Sequence, residues 1–341
     1  MICRIDTLFV AKCRVMEYDL NKLYFMGELY METKRVTVAN FNIVFANDKN
    51  EYPMLDYFDS IVMPALKADI IWKSGDNKFL LNNIKIKRDN REIYVLTGNI
   101  IKKTTLEIKS DLNENGELVE KDEMHSSAPY STFVIYLNNH RMILVENQKG
   151  SPSIANFRSL VRYLLSKFVK NYNKNNKDSK LPEPLVNIVG IPRKENIENI
   201  LRNANKINKL TLRFYPLNGD GDIDLSEAFG ILAKDARKIL GANTGNVSYN
   251  SPKNTNGIIE VLSKSNGTVE PIFSITDKDN AKTIIKEDQI TETRSIEMDG
   301  ECFENENNII AYGRELESIK YRSEENENIY QRNKEKISKY F

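Results

Sequence analysis

Ser131-Thr132-Phe133-Val134-Ile135-Tyr136-Leu137-Asn138-Asn139-His140-Arg141-Met142-Ile143-Leu144-Val145-Glu146-Asn147 is the stretch on which the fold turns. Residues 133–136 and 142–145 are apolar runs rich in β-formers, and 137–141 between them reads as the connection of a β-hairpin. Ser151-Pro152 then opens a helix, because a serine caps free amides and a proline fits the first turn. Ile154, Phe157, Leu160, Val161, Leu164, Leu165 and Phe168 follow at helical spacing as one apolar stripe.

Reading towards the N-terminus, alternation at Ile5, Thr7, Phe9 and Ala11 and again from Val36 through Val38 to Phe41 predicts strands. Leu55, Phe58, Ile61, Val62 and Leu66 predict a helix over 54–67 despite Pro64. Residues 79–87 and 92–102, separated by Arg88-Asp89-Asn90-Arg91, predict another hairpin. The polar stretch 110–127 reads as a mobile loop. This half is a meander-like sheet with one helix.

Towards the C-terminus, Asn171-Tyr172-Asn173-Lys174-Asn175-Asn176 followed by Pro182 and Pro184 marks a boundary. Beyond it the spacing predicts a strand at 185–189, a helix over 195–207 and a strand through Leu210, Leu212 and Phe214. Helices over 225–240 and 255–264, a strand at 269–275 and a charged extended run over 283–298 complete that part. Residues 307–341 are polar and helical in composition, with a thin stripe of Ile309, Leu316, Ile319, Ile329 and Ile337 suited to weak packing or a partner subunit. The expected class is α+β: a strand-rich domain over 1–172, a linker at 173–183, a smaller α/β domain with a mixed sheet over 184–300 and a helical tail over 301–341.

The length of 341 residues, about twice that of a single domain, agrees with this division. With 40% hydrophobic and 28% charged residues, the chain can build a core. Cys3, Cys13 and Cys302 have no paired spacing, which excludes a disulfide framework and a thiolate zinc site. No leader-like or membrane-spanning run occurs, so a cytoplasmic protein is expected, with no membrane insertion and no cofactor.

Net charge is only +1, yet it is unevenly spread. Lys149, Arg158, Arg162, Lys167, Lys170, Lys174, Lys177 and Lys180 face only Asp178, so residues 149–180 carry +7 while 296–341 carry −4. Such a basic helix and linker can follow a phosphate backbone, with Tyr163 and Tyr172 available to stack on bases. Against it, Arg158 and Arg162 flank the apolar stripe while Lys167 and Lys170 lie elsewhere, and a solvated helix explains the same residues. Asn218-Gly219-Asp220-Gly221-Asp222-Ile223-Asp224-Leu225-Ser226-Glu227 follows a calcium-loop pattern. Pro216 holds the first ligand position, however, and a capped turn explains these residues better. Glu107-Ile108-Lys109 with Asp89 mimics the acid pair and lysine of a metal-dependent nuclease, although Asp89 belongs to a turn. His140 with Glu146 and His125 with Asp122 lack an attached nucleophile.

The hairpin STFVIYLNNHRMILVEN with its helix, then LTLRFYPLNGDGD, a long helix, NGIIEVLSKSNGTVEP and a charged strand, together resemble the RexA-like group of phage-exclusion and anti-phage proteins. The resemblance covers most of residues 1–300 and rests on element order and short strings. It implies a cytoplasmic, two-domain, homodimeric protein that binds DNA, in preference to RNA, without strong sequence preference and aborts phage infection. The leading expectation is therefore a non-enzymatic defence sensor or effector that binds nucleic acid through 149–180. The alternatives are a protein-interaction module docking a second defence protein through its acidic tail, and a nuclease using Asp89 and Glu107.

Overall fold

The computed structural model describes residues 31–47, 50–219, 237, 239–299 and 306–341. The chain enters as β1 (Met31–Ala46), turns back through β2 (Glu51–Pro53) and runs through a helical segment ending in α1 (Met63–Lys67). That segment tightens to a 3-10 turn at Met54–Tyr57 and loosens over Phe58–Val62, so that Pro64 meets the start of the regular helix, where no amide is missed. Strands β3 (Trp72–Ser74), β4 (Asn77–Arg88), β5 (Tyr94–Leu112), β6 (Leu118–Ser127), β7 (Tyr130–Tyr136) and β8 (Arg141–Glu146) follow as a meander. Helix α2 (Ile154–Asn175) leads into β9 (Glu183–Gly190), α3 (Lys194–Asn203), β10 (Ala204–Phe214), β11 (Gly245–Asn250) and α4 (Thr255–Lys264). After β12 (Val269–Asp277), β13 (Lys282–Ile285) and β14 (Thr293–Asp299) come α5 (Glu306–Glu315), α6 (Glu317–Lys320) and α7 (Glu324–Ser338).

The α+β class holds. The larger sheet runs β14-β1-β8-β7-β5-β4-β3, with β2 and β9 also on β1 and β6 on β5. Its centre is the 131–146 hairpin, in register from Ser131 opposite Glu146 to Tyr136 opposite Arg141. One face packs Phe41, Phe133 and Leu144 against Phe157, Leu160 and Leu164 of α2 and Ile329, Tyr330 and Ile337 of α7. The other packs Val38, Val134 and Ile143 against Ile309 and Ile310 of α5, with Leu316 and Ile319 beyond them. Burial on both faces explains why β7 and β8 read as almost continuous apolar runs. Each fully buried side chain contributes about 1.5–3 kcal/mol.

The smaller sheet, β11-β10-β12-β13, carries α3 and α4 on a core of Ile197, Leu210, Leu262 and Phe273. Its pairings are antiparallel throughout, not mixed as expected. Alternating strands and helices suggested parallel crossovers, whereas β10 and β12 meet as antiparallel neighbours with α4 between them in sequence. The expected division at 184 also cuts through paired structure. β9 matches β1 from Ala39 opposite Gly190 to Ala46 opposite Glu183, and β14 returns to the other half of β1. Arg141, fully buried, donates to the carbonyl of Asn266, in the turn between α4 and β12, at 2.7 Å and stacks on Tyr321.

Residues 110–127 form not a loop but the tip of a two-stranded arm, β5 with β6. Asn113 Oδ1 accepts from Asn115 N and Glu117 N, and Gly116 takes φ +78° to close the turn. Both faces of the arm are largely solvent-exposed, which is why its sequence is too polar to read as strand. The segment 307–341, expected to pack weakly or to contact a partner subunit, contributes to both cores. Tyr330 Oη accepts the Tyr94 amide at 3.0 Å, and Arg332 clasps Asp56 with contacts of 2.9–3.2 Å. Its stripe looked thin because three short helices each contribute a separate patch. The predicted strand at 5–11 and most of the predicted helix at 225–240 lie outside the described residues, as do the cysteines.

Candidate nucleic-acid interface

Helix α2 begins two residues later than Ser151-Pro152 suggests. Ser153 is the cap, its amide donating to Asn156 Oδ1 at 3.1 Å, while Ser151 Oγ is used on the Tyr130 carbonyl at 2.7 Å. The helix buries Phe157, Leu160, Val161, Leu164, Leu165 and Val169 against the large sheet, which fixes the direction of everything else on it.

The predicted cations separate into two groups. Arg158 and Arg162 lie beside the buried stripe and belong to the fold. Arg158 Nη1 stands 2.5 Å from Glu287 Oε1 and 3.3 Å from the Ile188 carbonyl; Arg162 Nη2 donates to the Val186 carbonyl at 2.9 Å. Both therefore tie α2 to β9. Glu287 is almost fully buried, and its Oε2 has no donor among the described residues. Burial, against the opposing pull of Arg158, pushes its carboxyl up to about 7.

The lysines behave differently. Lys149, Lys167, Lys170, Lys174, Lys177 and Lys180 are exposed, and among the described residues no carboxylate pairs with them. At about 100° per residue, Lys167, Lys170 and Lys174 fall within an arc of roughly 60° on the solvent side of the helix, and Tyr163, half-buried against the core, lies in the same arc. On the sequence wheel Lys167 and Lys170 stand apart from Arg158 and Arg162; that Lys174 continues their face was missed. Lys167 Nζ lies 5.4 Å from the centre of the Tyr163 ring. The linker bearing Lys177 and Lys180 is pinned back on the helix, Asn173 accepting the Leu181 amide at 2.7 Å and donating to its carbonyl at 2.9 Å. The result is a rigid basic face with an aromatic ring in it, continued by two further ammonium groups.

The remaining motifs do not form sites as expected. Asp89 is buried against the Arg314 guanidinium and accepts the amides of Arg91 (3.0 Å) and Ile93 (2.9 Å). Glu107 stands on the exposed arm beside Lys109 at 3.2 Å. Thirteen residues of β5 beyond Tyr94 place it roughly 40 Å along the strand from that turn, so the two carboxylates cannot share one metal ion. Of the calcium-like loop, Asn218 and Gly219 are described; Asn218 Oδ1 accepts the Met54 amide at 2.8 Å, and 220–227 lie outside the described residues. His140 is fully buried in its hairpin turn at φ +55°, and His125 is exposed beside Glu123 at 3.1 Å. Among the described residues no group of His, Cys, Asp and Glu side chains is placed to hold a metal ion, and no helix is long and apolar enough to cross a membrane.

Fold and site together define an α+β protein whose central antiparallel sheet is covered on both faces and whose longest helix turns a lysine face to solvent. Residues 34–310 match the family described as Domain of unknown function (DUF4747), and the chain belongs to that family. No curated protein matches it. No solved structure does either.

Proposed function

We propose that the chain binds nucleic acid, DNA before RNA, without strong sequence preference, through Lys167, Lys170 and Lys174 of α2 and Lys177 and Lys180 of the linker. One observation carries the reading: these ammonium groups are exposed in a chain of net charge +1, and among the described residues no carboxylate pairs with them. Isolated lysines attract phosphates as point charges and carry no base information, so binding through them is insensitive to sequence. Tyr163 offers a stacking surface if the ligand is single-stranded.

Gel-shift titration of the full chain with duplex and single-stranded DNA is the test. A shift at low salt that disappears in Lys167→Glu/Lys170→Glu/Lys174→Glu supports the reading; an identical shift in that variant overturns it. The RexA-like resemblance adds the setting, a cytoplasmic, non-enzymatic effector of abortive infection. Phage plating on cells carrying the wild type and the lysine variant tests that part separately.

A second reading, a homodimer, is favoured by the arm. Leu106, Ile108, Leu112 and Leu118 are exposed on it, and a lone two-stranded ribbon is only marginally stable in water.

A further inference from the structure

We propose that the cleft bounded by Arg91, Arg314, Lys320 and Arg322 binds the head of a phosphate monoester. This is separate from the α2 surface and does not depend on it. The cleft has a volume of about 270 Å³; these four cationic residues and Ile319 line it, with no carboxylate among them.

Arg314 forms its back wall. The side chain is 8% exposed, its Nε donates to the buried Asp89 carboxylate, and its guanidinium lies 4.2 Å from the centre of the Tyr136 ring. Its Nη2, also buried, has no acceptor among the described residues. A buried N–H left unmade costs about 1–3 kcal/mol, so Arg314 is held under strain at the wall of the cleft it lines. Gly313 makes this position possible: a Cβ there would lie 2.1 Å from Tyr136 Oη, so only glycine lets α5 come close enough to set Arg314 over the ring.

The rim supplies the remaining charge. The Arg91 backbone N–H donates to Asp89 Oδ1 at 3.0 Å, and among the described residues no carboxylate pairs with the side chains of Arg91 or Arg322. Lys320 pairs with Glu317 at 2.8 Å and stands 4.0 Å from Glu315, so its charge is partly offset. Desolvation is the main influence holding the Arg314 pKa below its ordinary value, and the nearby positive charge of Arg322 adds to it. Gathering like charges around a buried guanidinium is unfavourable in the empty protein, and a dianion relieves it. Planar guanidinium forks match phosphate oxygens in pairs, which selects phosphate over a single-charged carboxylate. The cavity on the other side of Arg314, about 250 Å³, includes Asp89 and Glu315 in its lining and suits an anion poorly.

Calorimetric titration of the full chain with inorganic phosphate at constant ionic strength tests the proposal, alongside Arg91→Ala/Arg322→Ala, whose side chains are exposed and whose loss leaves the fold intact. Saturable binding that weakens about tenfold or more in the double variant, and survives in Lys167→Glu/Lys170→Glu/Lys174→Glu, is the expected result. No saturable binding, or equal binding by the double variant, overturns it. Two further ligands identify the source of the phosphate. Preference for a 5′-phosphorylated oligonucleotide over its 5′-hydroxyl counterpart assigns the cleft to nucleic-acid ends. Equal binding of those two, with binding of a 5′-mononucleotide that the double variant loses, assigns it to small phosphorylated metabolites.

Discussion

Glu287 shows how a single buried group gives the molecule a pH dependence. Its carboxyl rises from an ordinary 4.5 to about 7 because burial strips it of water, an effect that Arg158 opposes only in part; its Oε2 has no donor among the described residues. Between those values the folded chain holds a proton that the unfolded chain has released, so stability falls as pH rises. The loss amounts to about 3 kcal/mol at most. Thermal melts from pH 4.5 to 8 should show this decline, and Glu287→Gln should flatten it; an unchanged slope in that variant would assign the effect elsewhere. Asp89 presents the opposite case. Asp89→Ala leaves the Arg314 guanidinium buried without its counter-charge, at a cost of about 3–5 kcal/mol in chemical denaturation. Asp89 was legible as a turn residue; its partner was not. Arg314 lies 225 residues away in the chain, and no local pattern marks a lone arginine in a polar helix as buried.

Among the elements, the hairpin at 131–146 and helix α2 were readable because each obeys one strong rule, apolar runs about a turn and apolar residues at helical spacing. The exact role of the cations on α2 was not, since the wheel alone cannot show that β9 passes beside Arg158 and Arg162. Replacing those two with glutamate, the obvious choice from sequence, would break contacts to Glu287, Ile188 and Val186 and confuse loss of binding with loss of structure. Lys167→Glu/Lys170→Glu/Lys174→Glu touches no such contact. Its melting temperature should stay within a few degrees of wild type, as surface changes usually shift stability by about 0.5 kcal/mol or less. The arm β5–β6 escaped notice for the reverse reason: solvent on both faces removes the alternation that identifies a strand. If the arm pairs two chains, Leu112→Asp with Leu118→Asp should convert a dimer to a monomer in sedimentation equilibrium. A wild-type chain that is already monomeric contradicts the dimer reading.

Across the entire molecule, the α+β class was legible and the long-range joining of its parts was not. β1 is the reason: it borrows partners from β8, β9 and β14, so segments far apart in sequence share one sheet. The C-terminal helices are built into the same core. Tyr330→Ala should therefore cost about 3–5 kcal/mol, as truncation of a buried aromatic does, and removal of 306–341 should abolish cooperative unfolding. A truncated chain that melts like the full one would contradict this packing.

The most direct test of the central claim is the salt dependence of DNA affinity, measured by fluorescence anisotropy for the wild type and Lys167→Glu/Lys170→Glu/Lys174→Glu. If those lysines neutralise phosphates, wild-type affinity falls steeply as salt rises, and the variant binds more weakly with a log–log slope shallower by about 2 to 3. Equal slopes and equal affinities for the two proteins would contradict it.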